Sequence, residues 1–215
     1  LPDPSFFRFC TELLERYRCD DRVGMIAGSN KVVGYDFHGN SYVFSRTGGG
    51  WGWASWRRVH DCYETEHPIF LSEKLFEYLL NCTNSYDEAK YWYRYVRKSA
   101  LGEIPTWDYQ WDTLLMLNSR LTIVPSVNLI ENIGFGAEGT FTFDPSANPL
   151  TSSASISFPL VHPELILEDR VFSALSAPIK QKSLEKQAFD RFMRRWKKAI
   201  KKRLRRSSKT EFSPP

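Results

Sequence analysis

Residues 23 to 27 read Val-Gly-Met-Ile-Ala, and this unbroken apolar run constrains the fold more than any other stretch of the chain. A strand without a polar side chain has no face to offer water, so it belongs inside a sheet covered on both sides. It stops at Gly28-Ser29-Asn30, where the residues turn small and polar. Leu121-Thr122-Ile123-Val124, closed by Pro125, reads as a second strand, and residues 41 to 45 (SYVFS) as a third.

Helical signals surround these runs. Asp3 is a plausible N-cap with Pro4 at the first helical position, and Phe6, Cys10, Leu13, Leu14 and Tyr17 share one side of a helix over 4–18. A helix is expected from Trp53 to about Tyr63. Ser85 and Glu88 form a capping box that opens a helix to about Ala100, and Thr106 can cap a helix from Trp107 to about Asn118. Val127 to Ile130 reads as extended chain, and residues 144 to 157 as a polar surface loop. Short apolar strands alternating with helices predict the α/β class, with ligands held at the C-terminal ends of strands.

Aromatic residues are 15% of the 215, enough to line a pocket with flat walls. The net charge of +4 conceals a segregation. Residues 180 to 206 hold thirteen Lys and Arg against Glu185 and Asp190, a net of +11. Residues 207 to 215 are neutral, which leaves −7 for residues 1 to 179. An acidic body with a basic tail requires two explanations. Cys10, Cys19, Cys62 and Cys82 show no metal-like spacing and read as free thiols of a reducing compartment. The sequon Asn81-Cys82-Thr83 matters only in a secreted chain. No signal peptide or apolar run of membrane-spanning length is visible, so the expected location is cytoplasmic, with a peripheral place at the inner membrane face.

Three stretches could carry chemistry. GGGWGWASWRR, residues 48 to 58, sets Trp51 and Trp53 around Gly52 beside three glycines. If the stretch is extended, at most one of those indoles points inward. It is either a loop that caps the core or a ligand platform whose backbone can approach closely. Thr106-Trp107-Asp108-Tyr109-Gln110-Trp111 puts Trp107 and Trp111 on one helix face and Asp108 in the first turn. That carboxylate is either a partner of the helix dipole or a general base walled by aromatics. Asn132-Ile133-Gly134-Phe135-Gly136 begins a close-approach loop; it lacks the helix and further glycine of a dinucleotide fingerprint.

In this order, LPDPSFFRFC, MIAGSN, WGWASWRR, TWDYQW and VNLIENIGFG resemble a family of bacterial GT-A-type nucleotide-diphospho-sugar transferases, some labelled hemolytic proteins. The order is more distantly similar to the eukaryotic N-acetylglucosaminyltransferase that acts on mannose cores. The likeness covers about residues 1 to 170. It implies the C-terminal, acceptor-side half of a GT-A fold, with a strand ending Glu-Asp-Asp upstream of Leu1 to hold Mn²⁺ or Mg²⁺ on the donor diphosphate. By the same likeness Asp108 would be the base of an inverting transfer. Asn30, Trp51, Gly52, Trp53 and Trp107 would lie beside the donor sugar and acceptor, and Gly134, Phe135 and Gly136 in the loop that closes over them. Relatives continue Asp-Ala-Thr-His-Thr where this chain has Glu138-Gly139-Thr140-Phe141-Thr142, so the usual histidine is Phe141.

The implied activity is transfer of a sugar from a nucleotide diphosphate to a hydroxyl of a glycan or lipid-linked acceptor, absent from residues 1 to 215 alone. The alternative is a non-catalytic remnant that binds glycan or membrane. Residues 171 to 206 form a second expected unit, a basic amphipathic helix, and 207 to 215 a disordered tail. Trp196 at the polar–apolar boundary, with Lys197, Lys198, Lys201, Lys202 and Arg203, fits an anionic membrane surface. A docking helix with a solvated basic face fits as well. Nucleic acid is not expected as a partner, because the body is acidic and shows no nucleic-acid-binding motif.

Overall fold

A computed structural model describes residues 1–64, 66–134 and 152–177. The class is mixed α/β, built on a four-stranded sheet. Strand β1 (Val23–Ala27) is buried at all five positions, as its apolar run requires. It pairs in parallel with β4 (Leu121–Pro125), and these two occupy the middle of the sheet. β2 (Tyr42–Ser45) flanks β4 and β3 (Trp53–Ala54) flanks β1, both antiparallel.

Helix α1 (Pro4–Arg16) starts as its sequence dictates. Asp3 Oδ1 accepts from the Ser5 amide at 2.9 Å, and Phe6, Phe9, Cys10 and Leu13 are buried. The bonds from Ser5 hold the Asp3 carboxyl below its ordinary range. Asp3 also ties distant chain together. Its amide donates to Leu129 O at 2.8 Å, and Ser155 Oγ donates to its Oδ2 at 2.9 Å.

The crossover from β1 to β4 carries a helical layer: α2 (Arg57–His60), a 3₁₀ turn (Pro68–Leu71), α3 (Leu75–Cys82), α4 (Tyr86–Ala100) and α5 (Asp108–Leu117). At the start of α4, Ser85 Oγ accepts from the Glu88 amide at 3.2 Å, and Glu88 Oε2 accepts from Asn84 N at 3.0 Å. The carboxylate thus reaches one residue further back than in a regular capping box. α5 is apolar on more than one side because it lies between two cores. Trp111 and Leu115 join the core around the sheet. Leu114 and Met116 join Phe70, Leu75, Leu79, Trp92 and Val96 in a second core among the helices.

Two expected elements differ. The helix expected from Trp53 to Tyr63 is a two-residue strand, Ala54 opposite Ile26 and Trp53 opposite Ala27, followed by the short α2. Pairing with β1 satisfies backbone groups that a helix would have satisfied locally. Thr106 is not the cap of α5. Trp107 holds that position without a side-chain bond, and the Thr106 hydroxyl donates to the Asp108 carboxylate.

The packed body also passes the boundary expected at residue 170. α6 (Arg170–Ser176) lies against β2, with Phe172 1% exposed in the sheet core. Arg46 and Glu168 form a partly buried two-pronged ion pair beside it, and Arg46 N donates to Ser173 Oγ at 3.1 Å.

Candidate functional site

A cavity of about 240 Å³ opens between the sheet and the N-terminal half of α5. Met25 of β1 and Val124 of β4 contribute to it from the sheet, and Ser29 and Lys31 from the chain that leaves β1. The C-terminal end of β1 is therefore one border, in line with the rule for α/β sheets. Thr47 and Gly48–Gly50 form a second wall, Tyr91 and Trp92 of α4 a third, and Trp107, Asp108, Tyr109, Trp111 and Asp112 a fourth.

Gly48 and Gly49 pass so close to the sheet and to Ser29 that neither has room for a side chain. A Cβ on Gly48 would lie 2.5 Å from Thr122 Cγ2 and 3.2 Å from Ala27 Cβ; on Gly49 it would lie 1.9 Å from Ser29 Oγ. At Gly52 the chain turns with φ +61°, and a Cβ there would meet Ile130 Cδ1 at 2.3 Å. Only glycine takes this conformation at so close an approach.

That turn decides the fate of the two neighbouring indoles. The stretch is not extended there, and both Trp51 and Trp53 pack partly against the sheet core. Neither borders the cavity, nor does Gly52. They support residues that do. Trp53 lies 5.4 Å from Trp107 and 5.2 Å from Trp111 between ring centroids and stacks on His60. The Lys31 ammonium lies 4.6 Å from the centre of the Trp51 ring, a cation–π distance. Trp107 itself is 41% exposed, an aromatic face at the rim.

Asn30 is structural as well. Its side-chain amide donates to Pro125 O at 3.0 Å, its carbonyl oxygen accepts from Val32 N at 2.9 Å, and it does not border the cavity. Gly134 donates its amide to Asn132 Oδ1 at 2.9 Å, also away from the cavity. Phe135, Gly136, Phe141, Trp196, Lys197, Lys198, Lys201, Lys202 and Arg203 lie outside the described residues, with most of the expected 144–157 loop.

Asp108 stands in the first turn of α5, where the helix dipole favours a carboxylate. Its Oδ1 accepts from the Thr106 hydroxyl and, at 3.1 Å, from the Tyr109 amide. One turn on, Asp112 borders the same cavity. Its carboxyl is pushed well above the ordinary aspartate range, first by desolvation, then by the charge of Asp108, with Lys31 opposing. Tyr91 OH and Tyr109 OH are 3.1 Å apart, and burial with this contact drives the Tyr91 phenol upward.

Sequence reasoning reached Asp108 and Trp107 and missed Asp112, Lys31, Ser29 and Tyr91. Asp112 had a signal: a lone carboxylate in the otherwise apolar run Trp111 to Leu117, four residues after Asp108.

The chain matches no family model, no curated protein and no solved structure. Function must therefore be argued from the site. Among the described residues no three His, Cys, Asp or Glu side chains group as a metal site. Asp108 and Asp112, with an ammonium beside them, are a poor cage for a divalent ion. Among the described residues, too, no helix is long and apolar enough to cross a membrane.

Proposed function

We propose that the cavity is the sugar-handling side of a GT-A-type glycosyltransferase, with Asp108 as general base. The observation that carries this reading is Asp108 itself. It is a carboxylate at a helix N-terminus, oriented by two donors to Oδ1 and set in a cavity rimmed by Trp107 and Tyr109. Such a carboxylate can take the proton of an acceptor hydroxyl as that oxygen attacks the anomeric carbon of a nucleotide-diphospho-sugar. The anomeric carbon passes through an oxocarbenium-like state and inverts, and the nucleoside diphosphate leaves. Trp107 offers the flat apolar face on which a sugar ring stacks. Mn²⁺ or Mg²⁺ enters this reading only as a companion of the donor diphosphate, held by residues outside the described set.

The acceptor in this proposal is a hydroxyl of a glycan or lipid-linked sugar. Residues 180 to 206, net +11, would hold the protein at an anionic membrane surface where such acceptors lie, on the cytoplasmic side. A second reading uses the same cavity: the aromatic rim and paired carboxyls suit a glycan-binding site in which no transfer follows.

The test is nucleoside diphosphate release by the product of the whole open reading frame, with Mn²⁺, a panel of nucleotide sugars and simple glycoside acceptors. Acceptor-dependent release by the wild type that drops at least about a hundredfold in Asp108→Asn, the size of a general-base contribution, supports transfer. Equal rates in both would remove Asp108 from the chemistry, and sugar binding without release would favour the second reading.

A further inference from the structure

The cavity holds a second carboxyl that the proposed transfer leaves unused. Asp112 lies four residues after Asp108 on α5, so both side chains emerge from one face and both border the cavity. Its neighbours Trp111, Thr113, Leu114, Leu115 and Met116 are all buried. A carboxyl in such a setting opposes folding unless it finds a partner.

An independent observation points to the same place. Ser29 borders the cavity, is 2% exposed, and its Oγ has no hydrogen-bond partner among the described residues. Gly49 covers that hydroxyl, and the glycine run is the one wall without side chains to hold it down. A buried hydroxyl left unpaired beneath a wall of glycines is a station for a polar atom that arrives from outside.

Charge narrows what can arrive. The titratable groups around Asp112 are Asp108 on its own helix, Lys31 after β1, Tyr91 on α4 and Tyr109. Among the described residues two carboxyls thus face one ammonium, and that ammonium already lies over the Trp51 ring. Desolvation and the Asp108 charge favour the protonated form of Asp112, which can both donate and accept. At about 240 Å³ the cavity is also smaller than sites for drug-sized ligands, so one ring fills it.

We infer that Asp112 and Ser29 form a hydroxyl-binding pair that admits one uncharged sugar ring to this cavity, and that the Asp108 charge beside them turns away rings bearing a carboxylate or phosphate. The inference rests on the reading of the cavity as a sugar site and specifies its ligand class. Hydroxyls of a neutral ring offer a donor to Asp108, a donor and an acceptor to Asp112, and a partner to Ser29. An anionic ring brings a second negative charge beside Asp108, and the one ammonium that borders the cavity among the described residues already lies over the Trp51 ring.

The experiment is ligand-observed NMR on the 215-residue chain near neutral pH, with glucose, N-acetylglucosamine, glucuronic acid and inorganic phosphate as probes. The neutral sugars should bind, and glucuronate and phosphate at least about tenfold more weakly, the discrimination expected of an unpaired charge. Asp112→Leu should weaken the neutral sugars about tenfold or more, and Ser29→Ala severalfold, as lost hydrogen bonds do. Asp112→Asn keeps volume, neutrality and both bonding roles, so it should bind all probes as the wild type does, whereas Asp108→Asn removes the charge and should admit glucuronate better than the wild type. Asp108→Asn and Ser29→Ala carry the test should Asp112→Leu fail to fold. A wild type that prefers glucuronate or phosphate, or Asp112→Leu, Ser29→Ala and Asp108→Asn variants that bind all probes as the wild type does, would overturn the inference and leave the sugar site standing. No binding of any probe by the wild type would sink both.

Discussion

Gly49 passes so close over Ser29 that a methyl group on its Cα would sit 1.9 Å from the serine oxygen. Together with Gly48 above Thr122 and Ala27, it makes the glycine run a packing device first. The three positions should respond in order. Gly48→Ala meets Cβ and Cγ atoms fixed on two central strands and should cost about 1–3 kcal/mol by overpacking. Gly49→Ala meets one hydroxyl that can rotate, so it should cost less but displace Ser29. Gly50→Ala finds nothing nearer than Asp108 Cβ at 3.9 Å and should be nearly neutral in stability. Urea unfolding of the three variants checks the order, and equal losses would contradict it.

Arg46 and Glu168 hold the last described segment to the sheet. Their side chains are only 14% and 13% exposed, and the guanidinium meets the carboxylate with two nitrogens. Removing one partner leaves a partly buried charge, so Arg46→Met should destabilise by about 1–3 kcal/mol. The double variant Arg46→Met with Glu168→Leu should recover much of that loss. A double-mutant cycle by chemical denaturation measures the coupling. Additive losses would mean that the two charges act independently.

Asp112 should make stability depend on pH with a defined sign. Its folded-state pKa is raised, so the fold prefers the protonated form. The contribution is full below the unfolded value of about 3.9 and is lost as pH rises through the folded value. Glu88, raised by burial, adds a loss of the same sign. His162 acts oppositely: burial lowers its pKa, so its contribution is full above about 6.5 and is lost as pH falls through the folded value. Melting temperatures of Asp112→Asn between pH 4 and 8 should decline less with rising pH than those of the wild type and exceed them at pH 7. Parallel curves would place the carboxyl in water.

The basic segment should act on its own. The whole chain should bind vesicles of anionic lipid, at about 1 kcal/mol per basic residue near the surface, and lose that binding as salt rises. A chain ending at Ala177, the last described residue, should not bind them. Co-sedimentation with anionic and neutral vesicles, and with duplex DNA as a control, reads this directly. Comparable binding to DNA would turn the segment from a lipid-directed element into a general polyanion binder.

Much of the framework was legible from residues a few positions apart. The all-buried β1 was written in five apolar residues, β4 in Leu121 to Pro125, and the start of α1 in Asp3 beside Pro4. Ser85 announced α4 three residues before its partner Glu88. The α/β class follows from the same local signals. Asp108 and Trp107 stood out as a carboxylate and an indole at a helix start.

What local sequence could not decide depended on partners far along the chain. Trp53 and Ala54 became a strand because Ala27 and Ile26 stand opposite, and two residues carry no periodicity of their own. Nothing near Asn30 in the sequence shows that its side-chain amide donates to Pro125 and Ser126, some ninety-five positions away. Trp51 and Trp53 moved behind the cavity wall because Gly52 turns the backbone against Ile130. Asp112 passed unnoticed because only folding sets Lys31, Ser29 and Tyr91 around the same cavity. Helix caps and apolar runs lower free energy within a few residues and so show in the sequence. A pocket exists only where segments distant in the chain are packed together, and that arrangement belongs to the tertiary structure.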